Sequence, residues 1–343
     1  MQVEVLANRA AIKPSIAADP IIVVCAADDN YAMPLAVTLR SAIDNYQGDA
    51  RLVFYILDGG IQERNKQKIW QSTQSAKCEL KFLTVPNLPA IEHLKQINHT
   101  LGPDGKTISQ YLSVATFFRI LIPEVLPAEI NKVIYLDCDL VVKGNLAELW
   151  QYQLGDNYIL AAQDTWIRYV STANGLLNYR ELGISADAKY FNAGVLVINL
   201  QKWRADDFCN QSMDYLQHNK QFVRWHDQDI LNPLLAGKWG QIDPKWNFNS
   251  TSFYDYDTSS YLAWQDERES LFTKDIYHNL IHQPAIVHYA SAKKPWTSRH
   301  CPRKEDFFKY IDRTAWSGWR LTIWRRLQLK LAGKLKVLVK NFS

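Results

Sequence analysis

A chain of 343 residues with 47% hydrophobic and 22% charged side chains is long enough for one large α/β domain with appendages, and too apolar to be disordered. Its five cysteines are scattered, with no CxxC pair or Cys/His cluster, so neither a zinc site nor a disulfide framework is indicated and a reducing compartment is favoured. The net charge of +4 hides an asymmetry: from Arg313 onward there are eight Arg and Lys and no Asp or Glu, and removing that +8 leaves the first 312 residues at −4.

Residues 1–20 are Ala-rich and aperiodic and read as an extension. Ile21–Ala27 reads as a buried strand. Pro34 suits the first turn of the helix that follows, with Leu35, Leu39 and Ile43 on one face. Leu52–Leu57 is a second strand, closed by Asp58-Gly59-Gly60, then a polar helix from about Gln62 to Gln74 and a strand near Leu80–Val85. Leu112–Leu121 reads as a helix stopped by Pro123, and Val133–Leu136 as a short strand. Further strands are expected at Tyr158–Ala162, Val195–Asn199 and Ile286–Tyr289, and a helix near Asp229–Leu235. The alternation predicts an α/β fold, a mostly parallel central sheet with helices on both faces, binding its ligands at the carboxyl ends of the strands. No apolar run reaches the roughly 20 residues of a membrane span.

The segment Lys132-Val-Ile-Tyr-Leu-Asp-Cys-Asp carries the sharpest chemical signal. Asp137 and Asp139 leave a strand two residues apart, so their side chains can point the same way. Adjacent carboxylates repel unless a cation shares them, and hard oxygen ligands suit Mg²⁺ or Mn²⁺. Two other readings stay open: Asp-X-Asp as a turn cap, and a metal-dependent phosphohydrolase, which normally carries such a pair after the first strand of its domain.

Five segments in order, Ala26-Ala-Asp-Asp-Asn-Tyr31, Val133-Ile-Tyr-Leu-Asp-Cys-Asp139, Tyr190-Phe-Asn-Ala-Gly-Val195, Asp227-Gln-Asp-Ile-Leu-Asn232 and His288-Tyr-Ala-Ser-Ala-Lys-Lys-Pro-Trp296, together resemble the family 8 glycosyltransferases. These include bacterial lipopolysaccharide and lipooligosaccharide glucosyl- and galactosyltransferases and, more distantly, glycogenin. The resemblance covers about residues 21–300. It implies a single GT-A-type nucleotide-sugar-binding domain over 21–300 and a retaining, Mn²⁺-dependent transfer (Mg²⁺ the alternative) of glucose or galactose from a UDP-sugar. The acceptor would be a glycan or a lipid-linked saccharide, in cell-surface polysaccharide synthesis.

By the same resemblance Asp137, Asp139 and His288 form the metal set, and Ala26, Asp28 and Asn30 hold the nucleoside. Lys294 and Ser291 face the diphosphate. Ser291 stands where similar enzymes have a glycine, which alters that contact. Arg119, Asp164, Asn192, Asp227 and Gln228 face the donor sugar, with Asp227 and Gln228 at the reacting centre. An amide at Gln228 is a poor nucleophile, which favours front-face displacement over a covalent intermediate. Ordinary structural roles compete at several positions: helix capping for Asp28, Asp29 and Asp227, turn formation for Asn192, a surface ion pair for Arg119. A lid in similar enzymes corresponds to Ile97–Ser109 and Tyr111.

The last part, 301–343, reads as a basic amphipathic, Trp-rich helical segment. Trp316, Trp319, Ile323, Leu327, Leu331, Leu335 and Leu338 recur at three- and four-residue steps, with Trp324, Arg325 and Arg326 among the flanking groups. Tryptophan with basic residues and no acids predicts contact with an anionic membrane rather than nucleic acid, and hence a cytoplasmic protein, peripheral on the inner face of the cytoplasmic membrane. A helix docked on the domain is the alternative, and a non-catalytic sugar- or membrane-binding module is the remaining non-enzymatic one.

Overall fold

The protein, seen in a computed structural model, is described over residues 19–85, 114–253 and 273–325. Residues 1–18, the lid region 97–111, Arg326 and the rest of the tail lie outside the described residues.

The large sheet has the order β3-β2-β1-β4-β7-β6-β8, built from β1 (Ile21–Ala27), β2 (Leu52–Asp58), β3 (Cys78–Thr84), β4 (Lys132–Leu136), β6 (Ile159–Gln163), β7 (Phe191–Asn199) and β8 (Trp239–Gln241). β7 runs antiparallel to both neighbours, and the other six strands share one direction. β1 and β2 are unbroken apolar runs because helices cover both of their faces. β3 at the edge carries Glu79 and Lys81 instead, charges that discourage further pairing.

A second sheet, ordered β5-β10-β9, consists of β5 (Leu140–Val142), β9 (Phe248–Asn249) and β10 (Ile286–His288). The open edge of β5 is closed by α1 (Ala32–Asp44), whose buried Leu35 and Leu39 face the large sheet. Thr38 Oγ1 donates to the carbonyl of Leu140, Ser41 Oγ accepts from the Val142 amide, and the adjoining Asn45 donates to the Val142 carbonyl. A helix side chain every three or four residues thus stands in for the missing strand.

The two sheets meet where β4 passes into β5, a connection made only of Asp137, Cys138 and Asp139. Because β7 is antiparallel to β4, its first residues lie beside the carboxyl end of β4: Leu136 pairs with Val195, and the Asp137 amide donates to the Gly194 carbonyl at 2.8 Å. The ends of β1 and β4 and the start of β7 therefore share one rim.

Residues 301–311, assigned from sequence to the tail, pack into the body. Cys301 and, from helix α7 (Lys304–Ile311), Phe307, Tyr310 and Ile311 are buried with Val141, Val287 and Tyr289. Trp316 and Trp319, expected to begin a helical stripe, lie instead on turns after α7 and are half-buried against that body. The helix ends at Ile311, where the Thr314 hydroxyl bonds back to the Ile311 carbonyl, and Gly318 at φ +75° turns the chain further on. Ile323 and Trp324 are exposed, at 62% and 77%. Among the described residues no helix is long and apolar enough to cross a membrane.

Candidate active site

A cleft of about 410 Å³ opens at the shared rim, lined by Ala26, Asp28, Arg119, Asp137, Asp139, Asp164, Asn192, Asp227, Gln228, His288 and Lys294 from seven stretches of chain. Asn30 and Ser291 are not among its lining residues. Asp28 takes the amides of Asn30 and Tyr31 on one oxygen and the Asn30 side chain on the other, so Asn30 is folded back onto its own turn. Asp28 thus caps the short helix and still faces the cleft. Asp29 caps nothing there and instead accepts from the Gln62 amide and Asn65, which tethers α2 (Glu63–Ser72). The Ser291 hydroxyl accepts from the Lys293 amide at 3.2 Å, within its own loop.

Asp137, Asp139 and His288 place ligand atoms within 4.8 Å of one another, and His288 Nε2 lies 3.3 Å from Asp139 Oδ1 and 3.8 Å from Asp137 Oδ2. The backbone of Gly194 leaves room for this set: a Cβ there would run into the His288 ring and come within 3.0 Å of Asp137 Oδ2. Two carboxylates, one imidazole and a cradle that a methyl group would fill suit a divalent cation. Burial opposes ionisation of Asp139, but Lys294 and His288 outweigh it and hold its carboxyl well below the usual range. Lys294 is ion-paired to Asp139 and also donates to the Tyr289 carbonyl. We expect Gly194→Ala to weaken divalent-cation binding at least about tenfold by displacing the imidazole, while overpacking costs about 1–3 kcal/mol of stability. Isothermal titration and a urea melt measure the two effects separately.

Arg119 is not the surface residue an ordinary ion pair would suggest; it is 4% exposed. Its Nη2 donates to Asp137 Oδ1 at 2.8 Å, Nη1 donates to the Ala193 carbonyl, and the guanidinium lies 4.4 Å from the centre of the Tyr135 ring. Nε approaches Asp227 Oδ2 at 2.5 Å without hydrogen-bond alignment, so that contact is chiefly Coulombic. Tyr135, two residues before Asp137 on the same strand face, adds a hydroxyl to Asp137 Oδ1 at 3.1 Å.

Asp227 precedes helix α5 (Gln228–Leu234) but makes no side-chain cap bond, so the capping alternative does not hold. Burial raises its pKa, Arg119 draws it down and Asp137 raises it again, leaving it at about 7. A carboxyl whose folded-state value exceeds the unfolded one, about 3.9, contributes stability fully present below that unfolded value and lost as pH rises through about 7. The thermal midpoint should therefore fall more steeply between pH 4 and 7 in the metal-free wild type than in Asp227→Asn. Equal slopes would refute this.

Asn192 lies within β7 rather than in a turn, and Asp164 organises the groups around it. Asp164 Oδ1 accepts from the Trp166 and Ile167 amides at 2.7 and 2.9 Å, while Oδ2 accepts from Asn192 Nδ2 at 2.8 Å and from Gln228 Nε2 at 3.4 Å. Gln228 Oε1 accepts from the Ala193 amide at 2.9 Å, so the Gln228 amide is held at both ends.

Tyr31, Trp166, Trp225, His226 and Asn249 also line the cleft, and the sequence reading missed them. His226 has φ +57°; burial and then Arg119 lower its pKa to about 4, so it is neutral. Nothing in its local sequence signals that backbone.

Residues 22–300 match the model of glycosyl transferase family 8. The chain belongs to that family. Among its curated relatives is the general stress protein A of Bacillus subtilis (strain 168), 27% identical over 300 residues, spanning 86% of this chain and 94% of that protein. The lipopolysaccharide 1,2-glucosyltransferase of Escherichia coli is 23% identical over 309 residues, 90% of this chain and 80% of its own. A solved structure of the galactosyltransferase LgtC, in complex with donor and acceptor sugar analogs, is 29% identical with a TM-score of 0.67, covering 86% of this chain and 96% of that one. The family match spans all five motifs. It also supports the mixed sheet as a GT-A fold.

Proposed function

We propose that this protein transfers glucose or galactose from a UDP-sugar, with retention of configuration and with Mn²⁺, to a glycan or lipid-linked acceptor in cell-surface polysaccharide synthesis. The observation that carries this reading is one cleft in which Asp137, Asp139 and His288 converge beside the Asp164–Asn192–Gln228 network. The similarity to a lipopolysaccharide glucosyltransferase and to LgtC supports the substrate class.

Asp137, Asp139 and His288 would hold the cation. Bound there, it supplies a Lewis acid that offsets negative charge on the departing diphosphate. The chain's own groups divide the remaining work. Ala26 and Asp28, at the end of β1, face the nucleoside, and Lys294 offers a flexible positive charge to the diphosphate. Asp164 and Asn192 present polar groups to sugar hydroxyls. Gln228, with its carbonyl on the Ala193 amide, positions the sugar without attacking it. Front-face displacement follows: the acceptor hydroxyl attacks as the diphosphate leaves, and a diphosphate oxygen takes its proton. A covalent sugar trapped on Asp227 would exclude it.

The exposed Trp324, next to Arg325, supports peripheral association of the C-terminal end with an anionic membrane, and so a cytoplasmic location on its inner face.

The deciding experiment measures UDP release by the purified chain from UDP-glucose and UDP-galactose, with Mn²⁺ and with EDTA. Mn²⁺-dependent release with one preferred sugar is expected. No release and no Mn²⁺-dependent UDP binding would overturn the reading.

A further inference from the structure

The cation set and the sugar-facing carboxylate are joined by an unbroken line of side-chain hydrogen bonds that runs through a residue with no contact to the cleft. Asn192 Nδ2 donates to Asp164 Oδ2 at 2.8 Å, Asn247 Nδ2 donates to Asn192 Oδ1 at 2.8 Å, and His288 Nδ1 lies 2.8 Å from Asn247 Oδ1. Asn247 is 6% exposed, sits immediately before β9, and is absent from the cleft lining.

The polarity of this line is fixed from its far end. Both Asp164 oxygens accept, one from two backbone amides and the other from side-chain amides, so Asn192 turns its amide nitrogen toward Asp164 and its oxygen away. The Gly194 amide donates to that same oxygen at 3.0 Å, a second reason it cannot turn over. Asn247 must then offer its nitrogen to Asn192 and its oxygen to His288. An oxygen facing Nδ1 demands a proton on Nδ1. The unshared pair at Nε2 is thereby left for the space between Asp137 and Asp139.

We propose that Asn247 is the positioning residue for His288: it fixes the imidazole in the Nδ1–H form and in the ring orientation that direct Nε2 to the cation site. This rests on the reading of Asp137, Asp139 and His288 as that site. A partner behind a ligating imidazole is worth about 10–100-fold in metal affinity. The same line ties the ligand's orientation to Asp164, so sugar recognition and cation binding share one hydrogen-bonded frame.

The test is a Mn²⁺ titration of the full chain, followed by the paramagnetic resonance of free Mn²⁺, with and without UDP, beside thermal melts in EDTA. Asn247→Leu keeps the side-chain size but lacks the acceptor, and should bind Mn²⁺ about 10–100-fold more weakly. Asn247→Asp keeps an acceptor for Nδ1 but turns a second oxygen on Asn192. It should melt earlier than the wild type yet bind Mn²⁺ as tightly or more so. Asn247→Ala serves as the acceptor-free variant if the leucine form does not fold. Asn45→Ala, which removes hydrogen bonds to Ser41, Val142 and Tyr310, none of them a cleft-lining residue, should lower the melting point with Mn²⁺ affinity unchanged.

A purely structural role predicts that affinity tracks melting temperature across all the variants, and that pattern would overturn the proposal. Wild-type affinity in the leucine or alanine form would overturn it too. A wild type that binds no Mn²⁺ would instead remove the cation-site reading beneath it.

Discussion

Asp139→Asn is expected to lower UDP release from either UDP-sugar by about 10³-fold, the loss of some 4 kcal/mol of charge stabilisation. The substitution keeps the shape of the side chain, so packing is preserved and the effect reads on charge. Asp139 is nearly buried yet stays ionised, because Lys294 and His288 overcome the burial penalty. An amide there pairs weakly with Lys294 and offers a cation one neutral oxygen. Initial rates at saturating Mn²⁺, with far-UV circular dichroism as the control for folding, measure the effect. A loss below tenfold would mean that Asp139 does not carry the charge assigned to it.

Arg119→Met should have the largest effect on stability, about 3–5 kcal/mol, since it leaves buried acid groups facing each other without their cation. Arg119 lies between Asp137 and Asp227 and donates as well to the Ala193 carbonyl, so its removal affects β4, β7 and the start of α5 together. Asp227, already shifted up to about 7, should then take up a proton at higher pH still. It follows that Asp227→Asn, added to Arg119→Met, should recover part of the lost stability. Urea denaturation of the two single variants and the double variant at pH 8 forms the cycle. Strict additivity would show that the guanidinium and Asp227 do not act as a pair.

The strands were legible where the chain is buried on both faces: Ile21–Ala27 and Leu52–Leu57 are apolar runs that alternation with helices places in a parallel sheet. β5, β8 and β9, of three, three and two residues, carry no period that could be read. Asp137 and Asp139 were legible because two carboxylates that leave one strand end two residues apart can share a cation. Tyr135 could have been found, since a residue two before Asp137 shares its strand face. Burial of Arg119 was signalled by its neighbours Phe117, Phe118, Ile120 and Leu121, all buried. Asn30 stands outside the cleft lining because Asp28 takes both its backbone amide and its side chain. Asn247 had no signal at all: its role exists only once β7, β9 and β10 are brought together. The tail's three- and four-residue steps suggested one helix from Trp316, whereas Trp316 and Trp319 are drawn back onto the domain by apolar neighbours distant in sequence.

The three-residue link between the sheets has a mechanical consequence. Asp137 is registered to the large sheet through Gly194, whereas Asp139 is registered to the small one, its carbonyl accepting from the Tyr289 amide at 3.0 Å, next to His288. A cation gripped by all three side chains would act as a rivet across that seam. Its occupancy would stiffen the small sheet and α7 against the rest of the molecule, adding RT ln(1 + [M]/Kd) to the work of prising them apart. Amide exchange in β10 and α7 would slow as the rivet is set. The basic segment that continues from α7 would then be anchored more firmly when the cleft is loaded than when it is empty.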